Sequence, residues 1–169
     1  MFFSGFCLEN EKELFSEYLI ENDYTLSGFS YGAIEAFEFA YNSVAMDIRV
    51  DLVQLFSPAF FNTKDEKYKR LQLLHFKKDP TTYTQNFLKN CGFDQNWTNR
   101  YFKMGTYDQL ERLLNYKWDK TKLKQLQQSG VKIEVYIGSE DKIVDPQEVL
   151  NFFVDCSEVY LIKNKGHIL

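Results

Sequence analysis

Proline and glycine are scarce, three and eight in 169 residues. That scarcity excludes a collagenous, low-complexity or largely disordered chain. No run approaches the ~18 continuous apolar residues of a membrane span. The opening Met1-Phe2-Phe3-Ser4-Gly5-Phe6-Cys7-Leu8 is apolar but brief, lacks a basic leader and runs into Glu9, Glu11 and Glu13. Neither a signal peptide nor membrane association is expected. The three cysteines, Cys7, Cys91 and Cys156, are odd in number and widely spaced. They exclude a disulfide framework and a cysteine metal cluster, and predict reduced thiols in the cytoplasm. Cys7 reads as a small buried apolar residue. A formal net charge of −4 and the lack of any nucleic-acid motif argue against a nucleic-acid partner. Histidine occurs only twice, at His75 and His167, so chemistry that needs an imidazole has two possible positions.

What is present is ordinary for a globular chain: 44% apolar, 26% charged, but 17% aromatic. The length suits one sizeable core rather than two domains. Strand-like and helix-like segments alternate. Phe2–Ser4, Tyr24–Phe29, Val50–Ser57, Val131–Gly138 and Val159–Ile162 read as strands. Glu11–Ile20, Ala33–Ser43 and Gln147–Val154 read as helices, the last introduced by Pro146 at its first turn. The rhythm predicts an α/β fold with a mainly parallel sheet of about five strands.

Between the third and fourth strands the rhythm breaks. Residues 60–124 show helical pieces near Asp65–Phe76, Thr81–Lys89, Tyr107–Tyr116 and Asp119–Gln127, and no strand. The segment is too long for a plain crossover and reads as a helical lid on a core formed by 1–59 and 125–169. It holds 14 Lys and Arg against 7 Asp and Glu, whereas the rest of the chain holds 6 against 17. A basic lid on an acidic core suits an acidic partner.

The most informative stretch is Leu26-Ser27-Gly28-Phe29-Ser30-Tyr31-Gly32-Ala33. It is a Gly-x-Ser-x-Gly motif between a predicted strand and a predicted helix, the context of a nucleophile elbow. Gly28 and Gly32 remove side chains that would collide at the sharp turn, leaving Ser30 as nucleophile at a helix N-terminus. A serine needs a base and a group to orient it, in the chain order Ser, acid, His. His167 follows the last strand, where the base belongs; His75 lies in the lid and reads as a partly buried packing residue. Asp141 stands three residues past Gly138, beyond the end of a strand, with Glu140 and Asp145 as alternatives. The N–H groups of Tyr31 and of Phe6, in the loop after the first strand, are the expected oxyanion donors. The constellation needs no metal or cofactor.

These motifs together resemble the α/β-hydrolase superfamily over residues 1–58 and 130–169, in a minimal version of that fold. Strands that usually precede the oxyanion loop are missing, the unit before the elbow is reduced to one helix, and no helix follows His167. One poorly covered sheet face is the expected consequence, with a homodimer or an exposed apolar patch as ways to accommodate it. The size and the Phe-Phe-Ser-Gly-Phe start resemble the compact esterases of biotin synthesis, of the BioV type. That resemblance implies hydrolysis of the methyl ester of pimeloyl-acyl carrier protein, with acyl carrier protein as partner. Aromatic residues Phe60, Phe61, Phe76, Tyr83, Phe87, Trp97, Phe102 and Trp118 would wall the acyl channel. Lys64, Lys67, Lys69, Arg70, Lys77, Lys78, Arg100, Lys103 and Arg112 would contact the acidic carrier. A general small-ester hydrolase and a non-catalytic carrier-binding module are the rival readings.

Overall fold

A computed structural model describes residues 1–169. Five strands form one parallel sheet in sequential order: β1 (Phe2–Phe3), β2 (Thr25–Phe29), β3 (Leu52–Phe56), β4 (Lys132–Gly138) and β5 (Glu158–Ile162). Helix α1 (Tyr31–Ala45) joins β2 to β3. Four lid helices follow: α2 (Glu66–Lys78), α3 (Pro80–Cys91), α4 (Gln95–Tyr101) and α5 (Tyr107–Asn115). Helix α6 (Lys120–Gln128) leads to β4, and α7 (Pro146–Phe153) joins β4 to β5. Asp65, Asp79, Asp94, Thr106, Asp119 and Asp145 each cap a helix by accepting a backbone N–H at its start. Helix α4 lay unread in the sequence. Glu11–Ile20, expected as an α-helix, forms only a 3-10 helix over Glu11–Phe15 followed by turns.

The two sheet faces differ in chemistry because successive residues point to opposite sides. Leu26, Val53, Leu55, Ile133, Val135 and Ile137 belong to the main apolar core, with α1, α6 and α7 packed over that face. The other face carries two rows across the paired strands. One is Ser27, Gln54, Glu134, Glu158; the other is Phe29, Phe56, Tyr136, Tyr160. The 11–20 segment covers its middle, where Phe15 stacks on Phe56 at 4.9 Å and Tyr18 sits 5.4 Å from Tyr136, and Leu88, Cys91, Phe93, Tyr101, Ile168 and Leu169 join the same apolar cluster. Toward β5 this face is open, and Tyr160 is exposed.

Gln54 ties this thin cover to the sheet. Its buried amide oxygen accepts from Ile20 N–H at 2.8 Å. Its Nε2 donates to the Tyr18 carbonyl and to Glu134 Oε2, each at 3.0 Å. Burial works to raise the Glu134 carboxyl, but Lys132, Tyr136 and Gln54 outweigh it and hold the group below its ordinary range. Gln54→Leu fills the same space, strands Ile20 N–H and the Tyr18 carbonyl and takes one donor from Glu134. It is expected to cost about 2–4 kcal/mol in urea unfolding, several times a surface substitution.

Candidate active site

The carboxyl ends of β2, β4 and β5 bring the three predicted residues together. Ser30 follows β2 at φ 54°, ψ −110°, a left-handed conformation that a non-glycine residue adopts only under constraint. The constraint is close packing at the elbow. A Cβ on Gly28 would stand 2.0 Å from the Gly32 carbonyl oxygen, and one on Gly32 would stand 2.0 Å from that of Phe3. Both positions therefore admit only glycine. Ser30 N–H donates to the Phe56 carbonyl at 2.9 Å, which ties the turn to β3.

His167 Nε2 lies 2.9 Å from Ser30 Oγ, and His167 Nδ1 lies 2.7 Å from Asp141 Oδ2. Asp141 has its other oxygen occupied by the N–H groups of Ile143 and Val144, at 2.7 and 3.1 Å. Those two bonds aim the carboxylate at the imidazole. Asp145 instead caps α7, and Glu140 is exposed, so neither takes that place. Phe29 packs on the His167 ring at 5.0 Å. Ser30 and His167 are both buried, at 1% and 0% exposure.

The two N–H groups expected as oxyanion donors are free. Neither Phe6 N–H nor Tyr31 N–H has a hydrogen-bond acceptor within the chain, although both residues are buried. Buried backbone N–H groups are almost always paired. The Phe6 loop lies against the start of α1, since a Cβ on Gly32 would also meet the Ser4 carbonyl at 2.6 Å.

Residues 101–103 and the loop after β1 are buckled together. Leu8 bridges Phe102 antiparallel, Lys103 N–H donates to the Cys7 carbonyl at 3.1 Å, and Glu9 N–H donates to the Tyr101 carbonyl at 2.8 Å. Gly105 packs directly on the Phe6 ring. Burial pushes the Cys7 thiol up to about 11, consistent with a structural rather than reactive cysteine.

A cavity of about 540 Å³ opens in the lid between α2, α3 and α5. Its apolar wall includes Phe61, Tyr83, Phe87, Leu110, Leu113 and Ile143. Of the eight aromatic residues expected to wall a channel, only Phe61, Tyr83 and Phe87 line it. Phe60 packs on Phe152, Phe76 is buried beside Phe6 and Trp118 joins Phe37 in the core, while Trp97 and Phe102 are partly exposed on the lid. Phe87 lines the cavity and also packs on Phe6 at 5.5 Å, so one ring stands between the cavity and the Phe6 loop. His75, expected to be partly buried, is instead exposed at the cavity rim with Lys78 and Lys142. Its place on the outer side of α2 was not visible in a short helical pattern.

The nine basic residues of the 60–124 segment divide into four paired with acids, one buried and four exposed without a carboxylate. Lys64, Arg100, Lys103 and Arg112 pair with Glu148, Glu13, Glu9 and Glu35 of the core. These charges fasten the lid to the sheet domain. Lys69 corrects the sequence reading: it is 2% exposed, with Nζ 3.4 Å from Glu66, and has no surface to offer a partner. Lys67, Arg70, Lys77 and Lys78 are exposed on α2, and none meets a carboxylate. Leu71 and Leu74 are exposed between them, at 45% and 60%.

No protein-family model matches the chain, and no curated protein matches its sequence. Solved structures do match its shape. BioG from Haemophilus influenzae superposes with a TM-score of 0.58 at 16% identity, over 99% of this chain and 87% of that one. A hydrolase from Oleispira antarctica gives 0.65 at 11% identity, over 86% and 58%. Carboxylesterase CesB from Bacillus subtilis gives 0.56 at 17% identity, over 94% and 57%. The chain thus spans little more than half the length of the latter two. A parallel five-stranded sheet, an elbow serine after β2 and these superpositions establish that the chain has the α/β-hydrolase fold.

Proposed function

We propose that the chain is a serine carboxylesterase that hydrolyses the methyl ester of pimeloyl-acyl carrier protein. The observation that carries the esterase reading is the Ser30–His167–Asp141 chain of contacts at 2.9 and 2.7 Å, beside two unpartnered N–H groups. In this reading Ser30 Oγ–H donates to His167 Nε2, and His167 Nδ1–H donates to Asp141. Oγ attacks the ester carbonyl as Nε2 takes its proton, and the Phe6 and Tyr31 N–H groups hold the resulting oxyanion. Collapse breaks the bond to the methoxy oxygen, which leaves as methanol with the proton from Nε2. Water, deprotonated by the same nitrogen, then attacks the acyl-enzyme and releases the free carboxylate.

The substrate class has three supports. The cavity has an apolar wall opposite polar residues such as Gln72, Asn86 and Asn90, and is of a size that takes small-molecule ligands. Unpaired cations on α2 suit an acidic carrier. The compact size and opening sequence resemble biotin-synthesis esterases. Demethylation of pimeloyl-acyl carrier protein methyl ester by the wild type, and not by Ser30→Ala, is the test; an inert, folded wild type would refute the substrate assignment.

A carrier docked on α2 makes a separate prediction. Charge reversal at Lys67, Arg70 and Lys77 together is expected to raise KM for the carrier ester about tenfold. Turnover of a small neutral ester should stay unchanged, and added salt should mimic the variant. Equal effects on both substrates would remove α2 as the docking face.

A further inference from the structure

We infer that Glu11 is the positioning residue of the oxyanion hole, fixing the loop from which Phe6 N–H is offered to the reacting oxygen; this rests on the esterase reading above. Phe6 N–H belongs to the Gly5–Phe6 peptide. All peptides are trans, so this N–H points opposite to the Gly5 carbonyl. The Gly5 carbonyl is turned toward Leu8 N–H, which donates to it at 3.2 Å. The preceding peptide is held by Gly5 N–H, which donates to Glu11 Oε1 at 2.7 Å. With both peptides pinned, the direction of Phe6 N–H is fixed and the group stays free, as does the next one, Cys7 N–H.

The far side of the loop is held by Tyr101 and Lys103, but its start, where Gly5 stands, is held from within by Glu11. Cys7 and Asn10 both sit at φ 62°, the left-handed region, without being glycine. Such residues persist only where their surroundings over-determine them. Glu11 closes this strained loop onto its own start. Gly5 accommodates the clamp because any side chain there would strike the Phe29 ring, 2.8 Å from a Cβ.

Glu11 is an expensive way to fill space. It is 0% exposed, and its second oxygen, Oε2, has no partner. A buried carboxylate costs several kcal/mol after relaxation, and an unpaired oxygen adds to that. Burial accordingly lifts the carboxyl above its ordinary range, while the N–H groups of Gly5 and of Glu11 itself draw it back. A residue kept only for packing would be apolar. What the carboxylate supplies is a strong, charge-assisted acceptor aimed at one backbone N–H.

The test compares wild type, Glu11→Ala and Glu11→Gln on a small neutral ester, with active sites counted by a fluorophosphonate probe. Glu11→Ala is expected to lower kcat about 10²-fold with KM within twofold, the signature of a lost transition-state donor. Glu11→Gln keeps an acceptor oxygen and should restore kcat to within about tenfold of wild type. NMR gives a second readout independent of turnover: the Gly5 amide proton should lie far downfield in wild type and move upfield in Glu11→Ala. Should that variant not fold, Glu11→Asp, which shortens the reach, takes its place in both arms. Unchanged kcat in a folded variant of an active enzyme overturns the inference, as does an unmoved Gly5 resonance. A wild type as inert as Ser30→Ala overturns the esterase reading instead, and the Gly5 resonance then decides the clamp alone.

Discussion

Ser30→Ala is expected to lower ester turnover by about 10⁶-fold while leaving the fold intact. The size follows from the contacts. Ser30, His167 and Asp141 form one continuous chain, and residues that act as a unit lose nearly everything when the nucleophile goes. Only the oxyanion donors and binding remain to act on water. Stability should change by no more than about 1–2 kcal/mol, because the deletion removes one hydroxyl and leaves His167 Nε2 without its partner. Ser30→Gly separates chemistry from strain. At φ 54° glycine relaxes a conformation that costs serine on the order of 1–3 kcal/mol, so this variant should melt higher than Ser30→Ala and be equally inactive. Turnover above a tenth of wild type in either variant, with the fluorophosphonate label lost, would place the chemistry elsewhere.

Gly138→Ala should be nearly as damaging to activity as a change in the triad, although Gly138 touches no substrate. A Cβ there would stand 2.0 Å from the Gly166 carbonyl oxygen and 2.3 Å from that of Lys165. Both atoms are backbone and cannot swing aside. The loop they belong to carries His167 and is tied down by Glu140 N–H, which donates to Lys165 at 2.8 Å. Relief must come from moving the loop, and with it the imidazole. A displacement of about 1 Å is enough to cost 10²-fold in rate. Overpacking of this kind also destabilises, by about 3 kcal/mol or more. Gly130→Ala is the matched control. Gly130 sits at φ 87° with open space around it, so alanine there should cost about 1 kcal/mol and leave kcat untouched. Thermal melts with kcat on one small ester check all three proteins. Equal activity of Gly138→Ala and Gly130→Ala would show that the His167 loop tolerates displacement.

Much of the sheet was legible because a central parallel strand announces itself. Leu52–Phe56 and Lys132–Gly138 are near-continuous apolar or β-prone runs bounded by turn residues, and each was expected within two residues of where it lies. The segment after Leu8 was not legible in the same way. Glu11–Ile20 has helical composition, yet its Phe15 must reach Phe29 and Phe56 while Gln54 takes the Ile20 N–H and the Tyr18 carbonyl. Those tertiary bonds outweigh propensity and stop the helix after one short 3-10 stretch. The aromatic residues of the lid failed as channel markers for a related reason. A ring gains as much from a core as from a pocket, and composition does not say which one it enters.

What the sequence determined by itself is local. The elbow, its two glycines and its serine are adjacent in the chain, and their steric logic acts over five residues. The order of serine, aspartate and histidine, and the position of the latter two just past strand ends, are also one-dimensional facts. What only the tertiary structure decided is long-range. Asp141 rather than Asp145 meets His167 because two backbone N–H groups turn its carboxylate and α7 claims the other. Lys69 is buried while four α2 cations stay free, because ion pairing depends on which acids the fold brings near. Glu11 is indistinguishable in sequence from Glu9 and Glu13, which are partly or wholly exposed. It closes on Gly5 only because β1 and the first loop lie against β2 and α1. A hydrogen bond or an ion pair needs its partner within about 3–4 Å, and distance in the chain carries no information about that.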